Sequence, residues 1–121
     1  MEKPTPAALA AFEQAFPADT RAERRTMFGM PAGFVNGNMF MGVFEGGVVL
    51  RLPPEQRGDL AGQPGMAAFE PMEGRPWRDY VQAEGSRWGG TPELARWCAT
   101  ALEHTATALP PKVPKARAPK R

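Results

Sequence analysis

The residue types that build catalytic and metal sites are scarce in this chain of 121 residues. It contains one cysteine, one histidine and one serine: Cys98, His104 and Ser86. A single cysteine excludes an internal disulfide and suits a reducing compartment. Cys98 and His104 lie on different sides of one predicted helix, which does not suit a shared metal ion, and no serine–histidine–acid triad can be assembled. We therefore expect no catalytic residue, metal or cofactor, and predict that the protein is not an enzyme.

Long apolar runs are also missing. No stretch approaches the ~20 apolar residues that a membrane span needs, and the N-terminus lacks the cationic start and compact apolar run of a secretory signal. We expect a cytoplasmic protein without a membrane partner. An apolar content of 42% is enough for one core, and the length fits a single domain, which we place at residues 1–109.

An excess of positive charge is missing from this predicted domain but is present after it. Of the 15 basic residues, five lie in 109–121, a segment without acid, which leaves residues 1–108 with ten basic residues against 13 acidic ones. A domain that grips nucleic acid normally carries the basic excess itself. Residues 110–121 alternate proline with cations, which predicts a disordered tail. Weak, non-specific nucleic-acid binding is expected only through this tail, at Lys112, Lys115, Arg117, Lys120 and Arg121.

Capping residues and prolines delimit two long helices. Thr5 can cap a first helix that begins at Pro6 and is stopped by Pro17. Thr91 can cap the last helix, with Pro92 in its first position. The apolar stripe of that helix, expected to be buried, comprises Leu94, Trp97, Cys98, Ala101, Leu102 and Thr105.

Shorter elements have weaker signals. The capping-box spacing of Thr20 and Glu23 indicates a helical turn. Residues 54–61 are predicted to form a short helix, and residues 69–72 and 79–83 to form two short strands.

Two turn signals between apolar runs predict a three-stranded antiparallel meander. Asn36-Gly37 favours a two-residue hairpin turn because both residues tolerate positive φ, and Gly46-Gly47 is a second such turn. The first turn pairs Phe34 with Met39. With the two short strands, the meander makes a sheet of about five strands, and the flanking helices complete an α+β fold of two layers.

The register assigns side chains to the two faces of this sheet. A turn at 46–47 pairs Val43 with Leu50, and one face then collects Met30, Phe34, Met39, Met41, Val43, Val48, Leu50 and Leu52. The second face carries Val35, Phe40, Phe44, Val49 and Arg51, and is more apolar than solvent would favour. Either a terminal helix covers this second face, or it is a partner or homodimer surface anchored by Phe40, Phe44, Val49 and Arg51.

A compact basic and aromatic group follows in the chain. Arg75, Trp77 and Arg78 could hold an anion or an acidic side chain of a partner. The alternative is a loop in which Trp77 packs into the body and the arginines pair with acids such as Glu73 and Asp79.

Several glycine- and turn-rich motifs resemble the N-terminal domain of the TfoX/Sxy competence-regulator family. They are Met27-Phe28-Gly29, Gly33 to Phe40, Leu50-Arg51-Leu52-Pro53, Phe69 to Pro76, and the last helix with Leu109-Pro110-Pro111-Lys112. The resemblance covers most of residues 7–112. It implies a bacterial, cytoplasmic α+β domain and offers no catalytic residues. Full-length family regulators promote competence genes together with the cyclic-AMP receptor protein and carry a second, C-terminal domain, so a stand-alone form lacking that domain is expected here.

These observations favour a non-enzymatic binding or regulatory domain that acts through protein contacts, with the transcription machinery as one candidate partner. Two alternatives stay open: weak nucleic-acid binding through the basic tail, and an unrecognised small-molecule or enzymatic function in a pocket beside the sheet.

The basic tail generates a first prediction. With five cations, log K for DNA against log salt should have a slope no steeper than about −4.5, measured by gel shift at several salt concentrations. A chain ending at Leu109 should lose this binding. Equal DNA affinity of the two chains would show that the tail is not the contact.

Overall fold

The computed structural model describes residues 3–27, 29–70, 74 and 77–111. In chain order, the elements of these residues are α1 (Pro6–Ala15), β1 (Glu23–Met27), β2 (Met30–Val35), β3 (Asn38–Phe44), β4 (Gly47–Arg51), α2 (Pro54–Leu60), β5 (Met66–Ala68), β6 (Tyr80–Glu84), α3 (Gly85–Trp88) and α4 (Pro92–Ala108). Of the predicted tail, residues 110 and 111 are described, and the Pro110 carbonyl oxygen accepts a hydrogen bond from the Asn38 side-chain amide at 3.0 Å. All five of its cations lie outside the described residues.

The strands form one open antiparallel sheet in the order β1-β2-β3-β4-β6-β5. The predicted α+β class and the central meander are confirmed, but the number of strands is six rather than five. The additional strand is β1, which occupies the region after Thr20 where a helical turn was predicted. Pairing along its whole length with β2 outweighs the local capping signal. Its charged, exposed side chains suit the edge of a sheet.

The prediction of the last two strands was only partly correct. β6 lies within a residue of the predicted 79–83. Its partner β5, however, precedes the predicted segment 69–72, and Phe69 instead lies in irregular chain with its side chain buried. Residues 71 and 72 lie outside the described part.

Both long helices begin as their capping residues predict. The Thr5 hydroxyl accepts a hydrogen bond from the Ala8 amide at 3.1 Å, and the Thr91 hydroxyl accepts one from the Leu94 amide at 3.2 Å. The predicted stripe of α4 is buried in full against the sheet. Within it, burial raises the pKa of the Cys98 thiol to about 12, so the thiol stays protonated at neutral pH.

A β-bulge in β3 changes the register of the meander. Asn36 and Gly37 adopt φ values of +54° and +81°, and Phe34 pairs with Met39 as predicted. The next pair, however, joins Gly33 to Met41, so that Phe40 is an extra residue. A Cβ on Gly33 would lie 3.0 Å from the Phe40 ring, so the glycine makes room for this bulged side chain.

The second turn lies one residue earlier than predicted. Phe44 pairs with Gly47, so Glu45 and Gly46 form the turn and Met41, rather than Val43, lies opposite Leu50. Packing of the next strand explains the shift, because a Cβ on Gly47 would approach the Ala83 carbonyl oxygen of β6 to 2.6 Å. Gly47 is therefore the residue whose missing side chain allows β4 and β6 to approach each other.

The bulge corrects the assignment of side chains to faces, whereas the shift of the second turn moves the partners by two residues and leaves the faces of β4 as predicted. The face covered by α1 and α4 does contain the predicted Met41, Val43, Val48, Leu50 and Leu52. It also contains Val35 and Phe40, which were predicted on the opposite face. Conversely, Met30, Phe34 and Met39 lie on the second face with Phe44 and Val49. The bulge is the physical reason, because an extra residue inverts the alternation on one side of it.

The first turn yields a stability prediction. Gly37→Val places a β-branched residue at φ +81° and should lower the free energy of unfolding by about 1–2 kcal/mol in urea denaturation. Gly62→Val is the control, because Gly62 lies in an exposed loop with open space around its Cα. Equal stability of the Gly37→Val variant and the parent would contradict the turn conformation.

Candidate binding groove

An aromatic cluster covers the second face of the sheet. The Phe69 ring lies 5.1 Å from Phe44 and 5.3 Å from Trp77 in edge-on arrangements, and Trp77 lies 5.5 Å from Tyr80. The second face is thus covered within the monomer by residues that follow β5. The two predicted alternatives were cover by a terminal helix and an open partner surface, and the structure shows neither.

This cover changes the status of the predicted partner surface. Phe40 is fully buried on the helix-covered face, beside the ring of Phe16, so its assignment to the second face was wrong. Phe44 and Val49 lie on the second face as predicted but are 6% and 2% exposed. Of the four residues, Arg51 alone is more than marginally exposed, with 18% of its side chain accessible, and a partner contact through it stays a prediction.

Arg51 is held in place from several directions. Its Nε donates to the Met39 carbonyl oxygen at 3.2 Å, and its guanidinium donates to the Tyr80 hydroxyl at 2.7 Å. The guanidinium also lies 4.6 Å from the centroid of the Tyr80 ring, directly across the β4–β6 pair. A third donor contacts the Asp79 carboxylate at 3.2 Å. These contacts fix both the position and the plane of the guanidinium.

Tyr80 completes this arrangement by donating to the same Met39 carbonyl oxygen at 2.8 Å. Burial raises the pKa of the Tyr80 phenol, an effect that the charge of Arg51 partly offsets. The phenol therefore keeps its proton at neutral pH and acts as donor to Met39 while accepting from Arg51.

These residues form one wall of an open groove of about 370 Å³. Its lining joins apolar side chains to charged ones and includes Met27, Phe34, Met39, Arg51, Trp77 and Arg78. The structure thus brings together Arg51 and the Trp77–Arg78 pair, which the sequence suggested as two unrelated candidate sites. Arg75, the third member of that basic and aromatic group, lies outside the described residues.

The charged groups at the groove pair differently from the predicted alternative. Trp77 is half-buried and packs as that alternative proposed. Asp79, however, contacts Arg51 at 3.2 Å and Arg57 at 3.9 Å rather than Arg78. Arg78 is exposed and makes no ion pair with the residues that the structure describes.

A larger open cleft, of about 510 Å³, lies at the other end of the sheet beside Thr5, Gly65 and Ser86. Its polar groups are used by the fold. The Gly65 carbonyl accepts from the Glu84 amide, and the Ser86 hydroxyl donates to the Glu84 carboxylate. This cleft therefore offers less varied recognition chemistry than the groove.

Other kinds of site were sought in the described part of the chain. No group of three or more histidine, cysteine, aspartate or glutamate side chains there could hold a metal ion. None of the helices described there is long and apolar enough to cross a membrane. The sequence analysis did not identify Tyr80 and Met39 as groove residues. Tyr80 reaches the groove through the pairing of β6 with β4, and Met39 through the bulge at Phe40, and neither feature has a local sequence signal.

Comparison with known families identifies the family of the chain. The TfoX N-terminal domain matches residues 14–105, which include the whole sheet and most of α4. The chain belongs to the TfoX N-terminal domain family, as its glycine-rich motifs indicated. Neither curated proteins nor solved structures give a match.

The aromatic cover generates a prediction about Phe44. Phe44→Glu removes a buried ring and leaves a carboxylate without a cation among the Phe69 and Val49 side chains, and should cost at least about 3–5 kcal/mol. Against a total stability on the order of 5–15 kcal/mol, the variant should unfold largely or completely, measured by circular dichroism. Phe44→Leu, the control, should cost about 1 kcal/mol. A folded Phe44→Glu variant would show that the cover opens without cost.

Proposed function

We propose that this domain is a non-enzymatic regulatory module of the competence type, acting in transcriptional control by binding a protein partner through the groove. Membership in the TfoX N-terminal domain family supports the regulatory part of this proposal. The groove supports the part that concerns binding.

The observation that carries the proposal is the composition of the groove. Tryptophan, tyrosine and arginine are the residue types that most often dominate the energy of protein interfaces, and Trp77, Tyr80, Arg51 and Arg78 all line it. Methionine side chains adapt their shape to a partner at low energetic cost, and Met27 and Met39 line it as well.

The rigidity of the site also favours binding. The hydrogen bonds of Arg51 and Tyr80 to Met39 are made before any partner arrives, so little side-chain entropy is lost on association.

Deletion of the encoding gene and transcript sequencing test the regulatory role. A defined set of transcripts should change on deletion and return when the parent chain is supplied. Arg78→Glu, a change at an exposed residue of the groove, should fail to restore them while accumulating to the level of the parent, and Arg96→Glu, the same change at an exposed site on α4, should restore them.

Two results would overturn the proposal in different ways. Unchanged transcripts on deletion would remove the regulatory role. Full restoration by Arg78→Glu, with the thermal melt confirming a folded variant, would keep that role but exclude the groove as the contact.

A further inference from the structure

We propose that the groove receives an acidic segment of the partner protein, whose carboxylate replaces Asp79 on Arg51 and is held from the rim by Arg78. This inference rests on the proposed function and specifies the chemistry of the partner.

The distribution of charge supports an acidic ligand. Four arginines lie at the groove or against its lining: Arg51 and Arg78 line it, Arg57 pairs with Asp79, and Arg25 lies 4.9 Å from the Phe34 ring. Only the carboxylates of Asp79 and Glu23 pair with any of these arginines within the described residues. The groove is thus cationic in a body whose residues 1–108 carry ten basic side chains against 13 acidic ones.

Arg51 has donors to spare. A guanidinium carries five N–H groups. Within the part of the chain that the structure describes, three of those of Arg51 are occupied, by Met39, Tyr80 and Asp79. The contacts to Met39 and Tyr80 hold the guanidinium even if Asp79 moves away. An incoming carboxylate therefore meets a fixed cation with free N–H groups, the arrangement that favours charge-assisted hydrogen bonds.

Asp79 is suited to being displaced. Its side chain is 60% exposed, and its distances to Arg51 and Arg57 are 3.2 and 3.9 Å. Because water reaches the Asp79 carboxylate, solvent screens its contacts with the less exposed arginines, and a competing carboxylate can take its place. Arg57 is retained near the site by its own hydrogen bond to the Leu52 carbonyl oxygen at 2.6 Å.

The apolar lining specifies what should flank the acid. Met27 and Phe34 are half-buried at the groove, and Met39 forms part of its floor. A volume of about 370 Å³ lies near the lower end of ligand-sized pockets. It suits an acidic residue with one or two apolar neighbours in a short protein segment. A nucleic-acid backbone would instead need an extended track of unpaired cations, and Arg21 and Arg24 are already paired with acids.

Titration of the full chain with synthetic peptides tests this proposal. The probe is an eight-residue peptide alternating aspartate with leucine or phenylalanine, and the control peptide has lysine at each aspartate. The readout is the Trp77 indole N–H signal in nuclear magnetic resonance, assigned with Trp77→Phe. The acidic peptide should shift this signal to saturation, and the lysine peptide should leave it unchanged.

Variants sharpen the test. Arg78→Glu should weaken binding of the acidic peptide by at least about five-fold, whereas Arg96→Glu, the same change on exposed α4, should retain it. Asp79→Asn removes the competing charge and should tighten binding by about two- to five-fold. A purely structural role of Asp79 predicts weaker binding instead.

Three outcomes would overturn the inference: equal shifts with both peptides, no shift with the acidic peptide, or weaker binding by Asp79→Asn. Saturable binding of inorganic phosphate or a mononucleotide, without binding of the acidic peptide, would assign the groove to a small anion and also reject it. The transcript experiment is independent of this titration, so a regulatory role that persists after a failed titration identifies the chemistry of the partner as the part in error.

Discussion

The extra residue in β3 is the constraint on which both the core and the groove depend. Gly33 lacks the side chain that would collide with the bulged Phe40, and Phe40 therefore enters the core beside Phe16. Because of the extra residue, the side chains of β3 before Phe40 lie on the face opposite to the one that regular alternation from Met41 would give them. Met39 therefore faces the groove. The described pairs of β3 with β4 end at Met41, and just beyond them the Met39 carbonyl accepts from the side chains of Arg51 and Tyr80. One backbone irregularity thus serves packing and recognition together.

Parts of the fold could be predicted from the sequence because their signals are local. The caps at Thr5 and Thr91 and the turn at Asn36-Gly37 each depend on a few adjacent residues, and the structure confirms all three. The strand β1 and the position of the second turn could not be predicted. Both depend on neighbouring strands, β2 in the first case and β6 packed on Gly47 in the second.

The candidate site shows the same division. Alternation along β4 placed Arg51 on the second face correctly, because that strand has no bulge. Trp77 and Arg78 stood out as a basic and aromatic pair, but the sequence separates them from Arg51 by more than twenty positions. Only the β4–β6 register, with Arg51 opposite Tyr80, brings the two groups to one groove. Pairing of distant strands is a tertiary property, and short-range patterns carry no information about it.

The contrast between the groove and the rest of the domain bears on selectivity. Acids outnumber bases in residues 1–108, so the surface of this body away from the groove does not favour an acidic molecule, and an acidic partner gains from the body at the groove itself. A cationic partner would be repelled in the groove itself. The hydrogen bonds of Arg51 to Met39 and Tyr80 hold the guanidinium in the groove wall, so it cannot move aside. Such a partner would bury like charges without compensation, which costs more than a favourable contact of the same size contributes. The fixed arginine therefore discriminates by exclusion as well as by attraction, a property that a mobile surface lysine could not supply.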